Sequence, residues 1–210
     1  MAKRKVQSAA PLIPPKPTQQ KVRDAAAGCK ACDLWKLGKQ TVFGEGAKAA
    51  KIMFVGEQPG FQEDIEGHPF VGPAGKMLDK ALVEAGIDRE KTYVTNVVKH
   101  FKWRPKGKRH MHEKPNAAEI AACRPWLDAE IELLKPDVIV CLGATAAQAL
   151  LGKDFRVTKQ RGQFVESPLA PHVMATVHPS SLLRAPDEKT RHRETKQFIE
   201  DLKRIHDVLT

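Results

Sequence analysis

Residues 56–78 read GEQPGFQEDIEGHPFVGPAGKML, and the apolar, β-branched run KIMFV at 51–55 leads directly into them. A short apolar run that ends at glycine predicts a buried parallel strand. The segment that follows is rich in glycine, proline and carboxylates, and Pro73 suits the first turn of a helix that we expect to end near Gly86. Ligands of open α/β sheets bind where loops leave the carboxyl ends of strands, so this segment is the first candidate site. A solvated surface loop is the alternative interpretation.

One apparent motif in this stretch does not hold. Gly75-Lys76 has the form of the end of a phosphate-binding P-loop, but Met77 stands where that loop needs Ser or Thr. Phe70 occupies the position of the loop's first glycine. The sequence therefore predicts no nucleoside triphosphate site here.

Positive charge is concentrated in two stretches of the chain. The 210 residues carry a formal net charge of +10. Residues 1–23 hold six Lys/Arg and no acid, and residues 99–114 hold seven Lys/Arg and one acid, so the rest is nearly neutral. Such clustering favours a polyanionic partner, nucleic acid first, over a simple contribution to solubility.

The composition is typical of a globular protein, with 41% apolar and 29% charged residues. No apolar run approaches the roughly 18 residues of a membrane span, and no signal-peptide core follows the basic start. We therefore expect a cytoplasmic monomer with no membrane partner. In that compartment cysteines stay reduced or bind metal.

Strands and helices are predicted to alternate along the chain. Residues 1–20 predict a basic, Pro-rich, disordered tail, and residues 21–210 a single domain. Asn116 with Glu119 forms the capping-box pattern of a helix start. We expect strands at 51–56, 92–98, 137–142 and 173–177, and helices at 73–86, 116–134, 144–151 and 187–209. This order predicts an α/β fold with three α/β/α layers and a central four-stranded parallel sheet, with a basic loop at 99–115.

Four cysteines are the candidate metal ligands. Cys29-x-x-Cys32 is a bidentate clip, whereas Cys123 and Cys141 are separated by 17 residues. Four thiolates suit a [4Fe–4S] cluster or a structural zinc ion, and the split second pair favours the cluster. The alternative interpretation is that Cys123 is a helix-core residue and Cys141 a small buried residue in a strand.

Six short motifs follow one another along the chain. They are GEQPG at 56–60, Glu63-Asp64, GHPFVG at 67–72, TNVVK at 95–99, CRPWL at 123–127 and HPSS at 178–181. In this order they resemble the iron–sulfur uracil-DNA glycosylases of family 4, over roughly residues 20–209. Gln58 and the long basic loop resemble one subclass, uracil-DNA glycosylase X, since family 4 enzymes usually have G-E-A-P-G and a much shorter loop. The resemblance implies a uracil-DNA glycosylase-like fold, a [4Fe–4S] cluster, and uracil-containing DNA, single- and possibly double-stranded, as the partner.

The basic loop carries the residue that the subclass uses as a nucleophile. In the subclass the loop resembles K-R-R-I-H, and here residues 108–112 read KRHMH, so His110 stands for Arg and Met111 for Ile. The last His of the motif, the covalent nucleophile, corresponds to His112. The resemblance also implies that Lys108, Arg109 and, further along the chain, Arg184 contact DNA.

The resemblance implies further roles at the predicted strand ends. Phe70 is expected to stack on a flipped uracil, and Asn96 to hydrogen-bond its edge. His178 would donate to the departing base, and Glu57 would orient His112 or hold a water. The plainer alternatives are an apolar plug for Phe70, a loop cap for Asn96 and a structural role for His178. The other expected substrate contacts are Gln58, Asp64, Ser180 and Ser181, the serines through phosphate.

Three functions remain open from the sequence. We expect a uracil-DNA glycosylase that flips and excises uracil and stays covalently attached, through His112, to the abasic sugar. The first alternative is a turnover enzyme that releases a free abasic site, the changes at positions 110 and 111 having removed trapping. The second is a noncatalytic nucleic-acid-binding module with structural zinc. In the expected function the iron–sulfur cluster is structural.

Overall fold

The computed structural model describes residues 7–107 and 109–209, and a six-stranded sheet forms its centre. In chain order the strands are β1 (Glu45–Gly46), β2 (Ile52–Gly56), β3 (Thr92–Asn96), β4 (Trp103–Lys106), β5 (Arg109–His112), β6 (Val138–Leu142), β7 (Phe164–Val165) and β8 (His172–Thr176). The central sheet has the order β1–β3–β2–β6–β8–β7, and β4 pairs with β5 separately.

The four strands in the middle of the sheet, β3, β2, β6 and β8, are parallel, as the sequence predicted. All five residues of β2, β3 and β6 are buried, which explains their continuous apolar sequences. The edge strands β1 and β7 are antiparallel to their neighbours and were not predicted. Each has only two residues, too few to show an alternating pattern.

Helices cover both faces of the sheet and confirm the three-layer arrangement. They are α1 (Gln19–Ala27), α2 (Phe61–Glu66), α3 (Pro73–Glu84), α4 (Ala117–Leu134), α5 (Ala144–Leu151), α6 (Val157–Gln160), α7 (Pro179–Leu183) and α8 (Glu188–Lys203). Met53 and Val55 pack with α1, α4 and α5, whereas Phe54 between them packs with α3 and α8. Alternate side chains of β2 therefore pack into two separate hydrophobic cores, one on each face of the sheet.

The basic segment after β3 is more ordered than predicted. We expected a loop at 99–115, but β4 and β5 form an antiparallel hairpin in which Trp103 pairs with His112 and Pro105 with His110. Residues directly opposite each other share a face, so these four side chains lie on one face of the hairpin. The other face carries Arg104, Lys106, Arg109 and Met111.

Three short helices were not predicted. They are α2, in the polar segment after β2, α6, between α5 and β7, and α7, directly after β8. The longer helix α4 begins as predicted, with Asn116 and Glu119 forming a reciprocal capping box. Within the described part of the chain, no helix is both long and apolar enough to cross a membrane.

Part of the expected tail packs on the domain. Ala9 is fully buried, and its N–H donates to the carbonyl of Ala122 in α4 (2.9 Å). The N–H of Gln7 donates to the carbonyl of Ala31 (3.0 Å), and residues 10–12 form one 3₁₀ turn. From residue 7 onward the segment is thus held by main-chain bonds, which composition alone does not reveal, and residues 1–6 of the expected tail lie outside the described range.

Candidate active site

The candidate site lies where two neighbouring parallel strands, β2 and β6, end. The chain leaves β2 toward β3 on one side, while β6 lies on the other side, so this is the switch point at which α/β sheets bind ligands. Beyond the strand ends, the N–H groups of Val97 and Val98 donate to the carbonyls of Gly56 (2.9 Å) and Glu57 (3.1 Å). These bonds extend the β2–β3 ladder and fix the main chain on which Glu57 and Asn96 stand.

Phe70 and Asn96 meet over Gly56. Asn96 is buried and pairs with Gly56 across the sheet. A Cβ on Gly56 would lie 2.7 Å from the Phe70 ring and would also collide with Asn96 Oδ1, so only glycine admits both groups. The backbone of Phe70 has φ 58°, an uncommon conformation for a bulky residue that costs about 1–3 kcal/mol. That strained turn directs an aromatic ring to the side of a buried amide, as a base-stacking role requires.

His178 stands on the same side of the sheet as Phe70. It is the N-cap of α7, and its ring lies 6.1 Å from the Phe70 ring, with the two planes at 28°. The N–H of Ser180 donates to His178 Nδ1 (3.1 Å), so this nitrogen must hold a lone pair. The neutral ring then carries its proton on Nε2, and that N–H is the donor available to a substrate.

The local environment keeps His178 neutral. Burial, with smaller contributions from Arg184 and His112, lowers the pKa of His178 to about 4.

Gly143, at the end of β6, has φ 91°, and a Cβ there would lie 2.9 Å from His178 Cβ. Glycine is therefore needed for both the turn and the close approach of the histidine.

Ser180 and Ser181 serve His178 in this structure. Ser180 Oγ lies 2.8 Å from His178 Nδ1, and Ser181 Oγ donates to the carbonyl of His178 (2.7 Å). We expected both serines to contact phosphate; in the structure Ser180 contacts the imidazole, and Ser181 bonds to the main chain of His178. Arg184 follows α7, is exposed, and is electrostatically close to both His178 and His112, which places the expected DNA contact beside the site.

Glu57 lies between the hairpin and α5. Its Oε1 is 3.3 Å from His112 Nε2, and its Oε2 accepts a short hydrogen bond from the hydroxyl of Thr145. Thr145 is buried in the first turn of α5, so it fixes the direction of the carboxylate. Partial burial lowers the pKa of His112, Glu57 acts against this shift, and Arg184 adds to it. His112 is therefore mainly neutral near pH 7 and retains a ring lone pair.

Gln58, an expected substrate contact, instead holds the base of the hairpin. Its Nε2 donates to the carbonyls of Lys102 and Glu113 (both 3.1 Å), and its Oε1 accepts from the N–H of Lys102 (3.2 Å). The two contacted residues flank β4 and β5. One buried amide therefore clamps both ends of the inserted hairpin, which accounts for a Gln and a long basic segment in the same chain.

Asp64, the other acidic residue expected at the substrate, is also used elsewhere. Both carboxylate oxygens accept from the N–H of Lys39 (2.8 and 3.1 Å), and burial raises the pKa of Asp64 despite these bonds. Glu63 beside it accepts from the N–H of Gly60 (3.0 Å) and of Gly72 (2.8 Å). The two carboxylates thus hold the main chain around the segment between β2 and α3. Their hydrogen bonds do not connect them to Phe70, Asn96 or His178.

The hairpin places its two histidines in different surroundings. His112 lies against Glu57, whereas His110 stacks on Phe61, with ring centroids 5.2 Å apart. Arg109 is exposed on the opposite, cationic face. Lys108, the remaining residue expected at DNA, lies outside the described residues.

Three of the four cysteines lie in one region. Cys123 is electrostatically close to Cys29 and Cys32. Cys29 Sγ accepts from Trp126 Nε1 (3.3 Å), and Cys123 Sγ from the N–H of Lys99 (3.2 Å). Such N–H donors to sulfur tune thiolates that hold iron. Within residues 7–107 and 109–209, however, no group of three or more His, Cys, Asp or Glu is arranged to hold a metal ion.

Cys141 lies in the central sheet, whereas Cys123 is in α4 and Cys29 and Cys32 follow α1. It is buried in β6, where it pairs with Val55 and Ala175, and its electrostatic neighbour is Arg124. This placement agrees with the alternative interpretation of a small buried strand residue. The sequence analysis did not identify His100, which is buried. Its Nε2 lies 3.2 Å from Thr41 Oγ1. That hydroxyl donates to the carbonyl of Ala26, close to Cys29, so His100 lies near the other thiols.

A buried ion pair beneath Asn96 was also missed. Lys99 and Glu130 are each 1% exposed, with Nζ and Oε2 2.5 Å apart. Lys99 Nζ also donates to the carbonyl of Asn96 (2.8 Å), and Glu130 accepts from Tyr93, Thr95 and the N–H of Gly44. The pair supports the strand end that presents Asn96. Isolated charges 31 positions apart in sequence give no signal that they will meet.

Comparison with known proteins agrees with this geometry. The sequence model of the Uracil DNA glycosylase superfamily matches residues 43–203. A protein named type-4 uracil-DNA glycosylase from Thermotoga maritima is 42% identical over 87% of this chain and 90% of its own length. One of the same name from Sulfurisphaera tokodaii is 37% identical over 90% of this chain and 84% of its own length. A third, from Archaeoglobus fulgidus, is 36% identical over 86% of this chain and 87% of its own length.

Proposed function

Because the chain belongs to the uracil-DNA glycosylase superfamily, we propose that it excises uracil from DNA. The observation that carries this proposal is the meeting of Phe70, Asn96 and His178 around two glycines at the switch point of the sheet. A flipped uracil needs an aromatic face, an amide that can both donate and accept, and a donor for the departing base. The site provides one of each.

Excision breaks the bond between C1′ of the sugar and N1 of uracil. The bonding electron pair leaves with uracil, and an oxygen of the base gains negative charge. The Nε2–H of neutral His178 donates to that oxygen, and a preorganised donor of this kind contributes roughly 10²- to 10³-fold to the rate. The sugar is left as an oxocarbenium-like centre that must gain an electron pair.

A turnover reaction completes this step with water. The water oxygen bonds to C1′ and its proton passes to Glu57, which leaves a free abasic site. The relatives are named type-4 uracil-DNA glycosylases, and their names support this reaction rather than the covalent one that we expected first. Thr145 holds the carboxylate in place for the proton transfer.

One observation favours covalent capture as a second candidate function. The hairpin brings a neutral imidazole, His112, to 3.3 Å from the same carboxylate. A ring nitrogen of His112 would donate its lone pair to C1′, and the ring's N–H proton would pass to Glu57. A positioned nucleophile outcompetes water through proximity, and the product is DNA bonded to the protein.

The DNA strand is proposed to contact the cationic face of the hairpin and the end of α7. Arg104, Lys106 and Arg109 are exposed on one face of the hairpin, and Arg184 lies near both site histidines. Salt-dependent contacts to phosphate from these residues would position the strand without reading its sequence.

A [4Fe–4S] cluster is proposed for the region of Cys29, Cys32 and Cys123. Soft thiolates with N–H donors from Trp126 and Lys99 fit such a cluster. Cys141 does not join them, and the buried imidazole of His100 is our candidate for the fourth ligand, because histidine replaces cysteine at some iron–sulfur centres. When bound, the cluster would tie the segment around Cys29 to α4; excision itself requires no redox step.

A denaturing gel tests the proposal. The protein is incubated with single-stranded DNA that contains one uracil, and the DNA is resolved after heating in SDS, with and without alkali. Alkali-sensitive cleavage at the uracil without a shifted band indicates turnover, whereas a heat-resistant shifted band indicates capture. Intact DNA under both conditions would contradict both candidate functions.

Two variants serve as matched controls for that gel. His112→Ala should abolish any shifted band, because His112 supplies the proposed bond, while leaving free abasic product detectable. His110→Phe, two residues away on the same face of the hairpin, should retain the band. Loss of the band in the second variant but not in the first would assign the nucleophile to His110.

A further inference from the structure

The hairpin needs support beyond its own hydrogen bonds. It consists of two four-residue strands, and an isolated hairpin of this size is marginally stable in water. Gln58 holds its base, at Lys102 and Glu113. His110 lies further along β5, and its pairing partner across the hairpin is Pro105.

His110 contacts two aromatic rings. Its ring stacks on Phe61, with centroids 5.2 Å apart and planes at 21°. With Trp103 it makes a T-shaped contact, with centroids 3.9 Å apart and planes at 76°. The stacked pair with Phe61 lies within the range of centroid distances that aromatic side chains favour, and the contact with Trp103 is closer.

Each partner residue is connected to another part of the protein. Phe61 is the first residue of α2, the helix that follows β2 and Glu57. The indole Nε1 of Trp103 donates to the carbonyl of Leu37 (2.8 Å). His110 therefore links β5 to α2 through Phe61 and, through Trp103, to the segment at Leu37.

We propose that this ring stack, Phe61–His110–Trp103, is a clip that docks the hairpin on α2 and thereby positions His112 at Glu57. His110 and His112 are two residues apart on one face of a strand, so they move together. The inference rests on the proposed function, in which His112 acts near the sugar. His110 is a positioning residue and takes no chemical step.

The clip also accounts for a departure noted in the sequence. The loop has His at position 110, where the subclass that it resembles has Arg, and Phe61 supplies the ring on which that imidazole stacks. Asp64 is electrostatically close to His110 as well, but its carboxylate oxygens accept from Lys39. The ring contacts are therefore the ones that a truncation of Phe61 would remove.

Hydrogen exchange on the full-length protein tests the clip directly. Amides of residues 103–112 are compared in the wild type, Phe61→Ala and His110→Ala. Loss of one aromatic pair should speed exchange there by roughly threefold to tenfold and leave β2 unchanged. Ile65→Ala is the matched control, since Ile65 is exposed on the same helix and is not part of the stack.

Kinetics test the positioning role. In single-turnover assays with saturating uracil-containing DNA, both alanine variants should lose about threefold to tenfold in the fraction of excised sites that become covalently bound. The affinity for DNA should remain at the wild-type value. His110→Phe, which keeps a ring in the stack, should restore both exchange and capture, whereas a residue that acted through a proton or a charge would not be rescued.

The outcomes separate this inference from the proposed function. Unchanged exchange in both alanine variants, or a His110→Phe variant as impaired as His110→Ala, would overturn the clip. If the wild type excises uracil without any covalent product, the capture proposal fails, and the exchange data alone still decide whether the stack docks the hairpin.

Discussion

His112 Nε2 and Glu57 Oε1 lie 3.3 Å apart, and this contact joins the inserted hairpin to the end of the central strand β2. The second carboxylate oxygen of Glu57 is held by Thr145 at the start of α5. Three parts of the chain that are distant in sequence thus meet at one carboxylate. A carboxylate in this place can accept a proton from either water or His112. A substitution of Glu57 therefore tests its role whichever of the two attacks C1′ of the sugar.

We expect Glu57→Gln to slow uracil excision by about 10²- to 10⁴-fold, the usual contribution of a general base. The glutamine keeps the size of the side chain but cannot take the proton. Single-turnover rates at saturating DNA measure the effect. A rate within twofold of the wild type would remove Glu57 from the reaction.

Thr145→Val is expected to lower the same rate by roughly tenfold, because Glu57 loses one hydrogen bond and its fixed direction. Thr145→Ser keeps the hydroxyl and is the matched control, with a rate close to that of the wild type. Equal losses in the valine and serine variants would point to packing of α5 rather than to orientation of the carboxylate.

The pH dependence of excision should report His178. Its pKa is lowered to about 4, so the neutral ring with Nε2–H dominates above that pH and the protonated ring below it. Protonation places a hydrogen on Nδ1, which then no longer accepts from the N–H of Ser180. We expect the single-turnover rate to show no inflection from His178 between pH 6 and 8. The rate should decrease as the pH falls toward 4.

Covalent capture should add a separate requirement for neutral His112. Its pKa is lowered from the ordinary histidine value of about 6.5, so capture should be independent of pH above 7 and decline only in more acidic solution. The ratio of bound to free abasic product, measured from pH 5 to 8, reports this group. A ratio that rises as pH falls would contradict a lone-pair attack by His112.

Iron content should separate Cys141 from the other cysteines. Cys29→Ala and Cys123→Ala are expected to lose bound iron and sulfide and the broad absorption of the cluster near ~400 nm. Cys141→Ala should retain them, because Cys141 lies in β6 with Arg124 as its electrostatic neighbour. Loss of iron in Cys141→Ala at unchanged stability would restore the four-cysteine ligand set.

Buried parallel strands and capped helices were predictable, because each leaves a local signal. The run before Gly56 and the Asn116–Glu119 pair determine β2 and the start of α4 from neighbouring residues alone. The hairpin was not predictable in this way. Its strands carry Pro105 and several cations, and its support comes from Gln58 and Phe61, about 40 to 50 positions earlier in the chain.

The candidate site likewise contains features that the sequence predicted and features that it did not. Asn96 and His178 lie at or directly after strand ends, so their positions follow from the predicted strands, whereas Phe70 lies in the segment between α2 and α3. Asp64, Ser180 and Ser181 lie in the expected segments, but their hydrogen bonds go to Lys39 and His178. Proximity in sequence identified the region, while the partner of each polar atom depended on the folded main chain.

The last prediction concerns the buried pair Lys99–Glu130, which supports the carbonyl of Asn96. Glu130→Gln leaves the Lys99 ammonium in the interior without its counter-charge, so we expect a loss of about 3–5 kcal/mol in the free energy of unfolding. Urea denaturation measures it. Lys51→Met, which removes the exposed ion pair with Asp137, is the control and should cost at most about 1 kcal/mol. The double variant Lys99→Met/Glu130→Leu removes both charges and should recover much of the loss, since the cost comes from the unpaired charge. If the double variant is no more stable than Glu130→Gln, the hydrogen bonds of Glu130 to Tyr93 and Thr95 carry the stability instead.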